Sequence, residues 1–158
     1  MLHISLKNPF YILTIVAFGI VSLFFVSCNN EDDIESIFSG KTWYITGATI
    51  NGRSIGGDDI KELYLVNQSY MLYFSSDNSF SGVICPDSYV SGRWSADGHN
   101  NKINLDFDKY DDVNNTVLST NIFNILKSSQ SYSGDINNLI IKNNSENYVR
   151  FSSNKITR

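Results

Sequence analysis

Lys102-Ile103-Asn104-Leu105-Asp106-Phe107-Asp108 alternates polar and apolar residues at every step. Successive side chains of a β-strand point to opposite faces, so Ile103, Leu105 and Phe107 are predicted to face a core while Asn104, Asp106 and Asp108 face water. A strand with one wet face belongs to an antiparallel sheet, because parallel sheets are covered on both sides. The run sets the fold class, and its neighbours agree with it.

Upstream, Ala96-Asp97-Gly98-His99-Asn100-Asn101 reads as a turn, and Tyr89-Val90-Ser91-Gly92-Arg93-Trp94 alternates again. Tyr70 to Phe74 and Ser79 to Ile84 form two strands of a hairpin across the turn Ser75-Ser76-Asp77-Asn78, with Leu72 and Phe74 facing Phe80 and Ile84. Thr42 to Ile50 is rich in aromatic and β-branched residues, places Trp43 and Ile45 on one face, and closes on the turn signal Asn51-Gly52. After Gly56-Gly57, Asp58 or Asp59 caps a short helix through Ile60, Leu63 and Tyr64, with a strand as the alternative.

Downstream, Lys109 to Asn115 reads as a charged loop. Ile122, Phe123 and Leu126 suit one buried stripe on a short helix at about residues 119–127, with a strand again as the alternative. Tyr132 begins a further strand. Leu139 to Lys142 and Tyr148 to Phe151 make a last hairpin across Asn144-Ser145-Glu146-Asn147. The expectation is an all-β domain with one or two short helices, a small antiparallel barrel or sandwich. Closing the barrel would remove the exposed edges.

The N-terminal segment carries a different kind of information. Phe10 to Val26 is a run of seventeen uncharged residues preceded by Lys7, the only Lys or Arg before it, and followed by Ser27-Cys28 and then Glu31, Asp32 and Asp33. A short basic start, an apolar core and a small residue at the cut are the parts of a signal peptide. A membrane-spanning helix is the alternative, but such helices are flanked by basic and aromatic anchors, and no base follows here until Lys41. Phe25-Val26-Ser27-Cys28 resembles the lipobox of bacterial lipoproteins, with Phe25 where Leu is usual. That resemblance implies cleavage before Cys28, lipidation of Cys28 and anchoring at the outer membrane. The acids that follow resemble the surface-export signal of Bacteroidetes lipoproteins. The expected organisation is a signal peptide at 1–27, a lipidated cysteine and polar linker at 28–40, and one domain at 41–158. Within the linker, Ile34, Ile37 and Phe38 suit a single turn docked on the domain.

Gly40-Lys41-Thr42-Trp43, Ile50-Asn51-Gly52, Ser81-Gly82 with Cys85, and Ser91-Gly92-Arg93-Trp94 together resemble the META and lipocalin-like lipoprotein domains of Bacteroidetes. Phe123 to Leu126, Tyr132, Gly134-Asp135, Leu139 and Phe151 continue the pattern over most of residues 40–153. Ile84 and Pro86 flank the cysteine where META has glycine and asparagine. The resemblance implies a compact β-barrel on a lipid anchor and carries over no catalytic residues.

Removal of 1–27 leaves 131 residues, enough for one core, and takes the formal charge from −4 to −5 because the leader holds one base and no acid. The bases are scattered singly, which excludes a nucleic-acid binder of the usual basic-patch kind. With Cys28 consumed by lipid, Cys85 has no disulfide partner and reads as a small buried residue. His99 lies in a turn and reads as solvated. Asp106, Asp108, Asp111 and Asp112, with Asn114, supply the oxygen ligands of a calcium site, but the spacing lacks the loop glycine and terminal glutamate of an EF-hand, and a solvated acidic loop is the better reading. No catalytic set and no other cofactor is expected.

Tyr44, Tyr73, Tyr89 and Tyr148 fall on the face opposite the core, where tyrosine can stack on sugars or anchor a partner, although tyrosine also suits strand surfaces in general. The expected function is a non-enzymatic, lipid-anchored envelope module that binds an envelope protein, lipid or glycan. The alternatives are a surface glycan hydrolase using the acidic residues 106–112 and a structural component of an envelope complex.

Overall fold

The computed structural model describes residues 31–56, 70–113 and 115–155. The leader, Cys28, the helix expected after Gly57 and Asn114 lie outside the described residues.

Nine strands and two helices follow one another along the described chain. They are α1 (Glu31–Ile37), β1 (Lys41–Ile50), β2 (Arg53–Gly56), β3 (Met71–Phe74), β4 (Ser79–Cys85), β5 (Ser88–Asp97), β6 (Lys102–Asp112), α2 (Val117–Lys127), β7 (Ser131–Gly134), β8 (Asn138–Lys142) and β9 (Tyr148–Ser152). All strand pairs are antiparallel, in the order β6-β5-β4-β3-β1-β9-β8-β7, with β2 alongside the second half of β1. The sheet curls into a half-barrel. Its end strands do not ladder to each other; Tyr132 N–H of β7 donates to Asn101 O in the β5–β6 turn at 2.9 Å.

The turns explain the abundance of asparagine. Asn51, Asn78, Asp87 and Asn101 each adopt positive φ in successive hairpin turns, a conformation that Asn and Asp tolerate better than other side-chain-bearing residues. The Asn51-Gly52 turn delivers β2, a strand of only four residues.

The concave face is filled. Trp43, Leu72, Phe74, Leu139, Ile141 and Val149 are completely buried, and α2 lies against β4, β6, β8 and β9 with Ile122, Ile125 and Leu126 turned inward. Thr116 caps that helix from an extended backbone, accepting from Ser119 N–H at 3.0 Å. From the other side, α1 delivers Phe38 into the core. Its ring packs edge-on against Phe74 and Tyr132, with centroids 5.3 and 5.0 Å away. Trp43 Nε1 then donates to Ile37 O at 2.8 Å, which fastens the end of α1 to β1.

The charged loop expected at 109–115 is corrected by the structure, which continues β6 to Asp112. The cause is a register shift: Ser91 pairs with Lys109 but Gly92 pairs with Phe107, so Asp108 has no partner and forms a β-bulge. One extra residue reverses the alternation. Before the bulge the odd-numbered residues Ile103 and Leu105 are buried; after it the even-numbered Tyr110 and Asp112 turn inward. Gly92 stands opposite, where a β-carbon would collide with Asp106 O. A second shift, between Ile45 and Gly47 of β1, does the same at Thr46, so that Gly47 and Thr49 pair with Arg150 and Tyr148.

Candidate functional site

The four aspartates proposed for calcium are not brought together. Asp106 and Asp108 are exposed on the convex face, and Asp111 is held by Lys109 at 2.6 Å in an ion pair exposed to solvent. Asp112 is on the other side of the sheet. Among the described residues, no group of three or more His, Cys, Asp or Glu side chains forms a metal-binding cluster. His99 is exposed in the β5–β6 turn.

Asp112 instead sits in a nest of hydroxyls. Its Oδ1 accepts from Ser88 Oγ at 2.7 Å and from Asn115 N–H at 3.0 Å, and its Oδ2 accepts from Tyr110 OH at 2.6 Å and from Ser119 Oγ. Burial alone would push the carboxyl up. The hydroxyls of Ser119, Tyr110 and Ser88 with the Asn115 amide more than reverse this, and hold it at about 2. The same surroundings push the Tyr110 phenol up to about 12, through burial and its bond to the carboxylate. Cys85 is fully buried nearby, and burial followed by the charge of Asp112 raises its thiol to about 12. Such a thiol stays protonated and unreactive. Every acceptor position of Asp112 is in use, so the nest joins β5, β6 and α2 without leaving a group to meet a substrate. No pattern in the sequence marks it: Ser88, Tyr110 and Ser119 reach Asp112 only because the bulge turns β6 over.

The convex face carries the second candidate. Register places Tyr44, Met71, Val83 and Tyr89 side by side across β1, β3, β4 and β5. Tyr73 lies in the adjacent row. Tyr73 and Tyr89 are 40% and 45% exposed, while Tyr44 and Tyr148 are half-buried, so the four tyrosines set opposite the core do occupy the outer face to different degrees. Where the two ends of the sheet approach, an open groove of about 500 Å³ runs over Ala96 and Ile103 between Asp97, Lys102 and Gln130. It is open to solvent, and its two titratable residues, Asp97 and Lys102, stand opposite each other in the β5–β6 ladder.

The comparisons fit this geometry. A crystal structure of a DUF4847 family protein from Bacteroides vulgatus ATCC 8482 is similar to the chain with a TM-score of 0.64 and 22% identity, covering 78% of this chain and 99% of that one. The likeness is one of fold, and the curled antiparallel sheet is consistent with the small barrel expected from the sequence. No curated protein matches. The family model for the domain of unknown function DUF4847 matches residues 29–153, from just after Cys28 to the end of the last strand, and the chain therefore belongs to the DUF4847 family.

Proposed function

We propose that the protein is a non-enzymatic binding module, lipid-anchored through Cys28 at the outer membrane, that engages an envelope protein or glycan with its convex face. The observation that carries this reading is the row Tyr44, Met71, Val83 and Tyr89, flanked by Tyr73, which register sets side by side on the outer face of four adjacent strands. Aromatic rings supply contact area at low conformational cost and suit both sugar and protein surfaces. The filled concave side supports the same reading, because Trp43, Phe74 and Leu139 occupy the volume in which a lipocalin-type ligand would lie. The anchor rests on the apolar run ending in Phe25-Val26-Ser27-Cys28. Among the described residues no helix is long and apolar enough to cross a membrane.

Site-specific photocrosslinking in a Bacteroides host tests the reading. A photoreactive phenylalanine at position 73 or 89 should give a discrete adduct in the membrane fraction, and one at the exposed Lys127 should not. Adducts at all three positions or at none would refute a convex binding face. Recovery of a Cys28→Ala variant in the membrane fraction would refute the anchor separately.

A further inference from the structure

Four strands, two from each end of the sequence, bring a cationic cluster together on the convex face away from the tyrosine row. Lys142 of β8 pairs with Tyr148 of β9, Tyr148 with Thr49 of β1, and Thr49 with Ser54 of β2. Arg150 lies two residues along β9, opposite Gly47. Leu139, Ile141, Val149 and Phe151 point into the core, so Lys142, Tyr148 and Arg150 share the outer side. The bulge at Thr46 adds Gly47 and Thr49 to that side.

The guanidinium is held at this surface by neutral partners. Nη1 donates to Thr49 Oγ1 at 3.2 Å, Nη2 donates to Ser54 Oγ at 3.0 Å and Ile55 O at 3.4 Å, and the group lies 5.7 Å from the Tyr148 ring centre. Gly47 makes the room: a β-carbon there would stand 2.6 Å from Nη2. Among the described residues, neither Arg150 nor Lys142 is ion-paired, and Glu146 in the intervening turn is exposed and paired with neither. No acid among the described residues compensates these two positive charges, in a chain whose formal charge is −4. Ser54 Oγ accepts from Arg150, so its own proton is free to be donated outward, whereas the buried Thr49 sends its proton to Tyr148. Tyr148 OH bonds with Thr49, and that bond, with the charges of Arg150 and Lys142, lowers its phenol below the usual range.

We propose that Arg150, Lys142 and the hydroxyls of Ser54 and Tyr148, with Thr49 holding Arg150 and Tyr148 in place beneath them, form a binding site for a small oxyanion, the carboxylate, sulfate or phosphate group of a ligand. Beyond its bonds to Thr49, Ser54 and Ile55 the guanidinium keeps Nε–H and one Nη1–H as single charge-assisted donors, and the flexible ammonium of Lys142 adds a second charge. The site requires neither the lipid anchor nor the tyrosine row.

The test is a titration of the full-length chain, in neutral detergent at constant ionic strength, with inorganic phosphate, sulfate and acetate, read by calorimetry and by melting temperature. A saturable response to at least one anion is expected, and the order among the three identifies the group recognised. Lys142→Gln and Tyr148→Phe keep the chain's packing and should weaken that response, with about a tenfold rise in Kd for the lysine change. Arg150→Gln should abolish it, and if that variant fails to fold the other two still decide. Phosphate and sulfate also stabilise proteins non-specifically, in which case wild type and Lys142→Gln would shift equally. Equal shifts, or no saturable response to any of the three, would overturn the proposal.

Discussion

The hydroxyl of Ser88 donates to the carboxylate of Asp112 at 2.7 Å across 24 residues of chain, and ties the start of β5 to the end of β6. Because Tyr110 and Ser119 bond the same carboxylate, the charge is stabilised where it stands, and neutralising it leaves several donors short of an acceptor. Asp112→Asn is expected to lower the unfolding free energy by about 1–3 kcal/mol in urea titrations, the cost of unsatisfied buried donors.

Asp112 also gives stability a defined dependence on acid. Its folded pKa, about 2, lies below its ordinary 3.8, so the folded state favours the ionised form. The contribution is complete above the unfolded pKa and declines as pH falls from about 4 toward about 2. Melting temperatures of wild type and Asp112→Asn should therefore converge over that range. Curves that stay parallel down to pH 2 would show that the charge is not what holds the nest.

Phe38 supplies a second expectation. It is fully buried between Phe74 and Tyr132, although it precedes the first strand. Phe38→Ala should cost about 3–5 kcal/mol in denaturant unfolding, as large aromatic truncations in well-packed cores do. A cost below about 1 kcal/mol, the range of surface changes, would mean that α1 is dispensable to the core.

Cys85 should be silent to thiol reagents. In a Cys28→Ala variant, where it is the remaining cysteine, Ellman's reagent at pH 8 should find no thiol in the native protein and one after denaturation. With the thiol raised to about 12 and fully buried, modification has to wait for opening of the fold. Rapid labelling of native protein would contradict the buried placement.

The cap of α2 offers the mildest test. Thr116→Ala removes the acceptor for Ser119 N–H and should cost about 1 kcal/mol, with Thr116→Ser restoring most of it.

How much of this was legible depends on whether the signal was local. The strict alternation of Lys102 to Asp108, the hairpin around Ser75 to Asn78 and the helical stripe of Ile122, Phe123 and Leu126 are each written within a few residues, and the structure has the strand, the hairpin and the helix, the last burying Ile122, Ile125 and Leu126 with Phe123 at the edge. The second half of β6 reads as loop because the bulge puts Tyr110 and Asp112 on the parity that water-facing residues occupy just before. A pattern reader sees only acids, a lysine and a tyrosine there. β2 is four residues long and carries too little pattern to announce itself. The cluster of Lys142, Tyr148, Arg150, Thr49 and Ser54 depends on pairing between strands about a hundred residues apart, which no local window contains.

The bulge at Asp108 makes β6 tolerant of a kind of change that paired strands ordinarily refuse. Excising that one residue, which is exposed and makes no ion pair among the described residues, would leave Gly92 opposite Phe107 and Ser91 opposite Lys109 and restore an unbroken pleat. The faces would keep their residues: Lys109 and Asp111 at water, Tyr110 and Asp112 at the core, with the carboxylate still beside the cap of α2. Replacing Asp108 by serine or asparagine should be nearly silent, and deleting it should leave a folded protein. The position is a spare residue in the count of the strand.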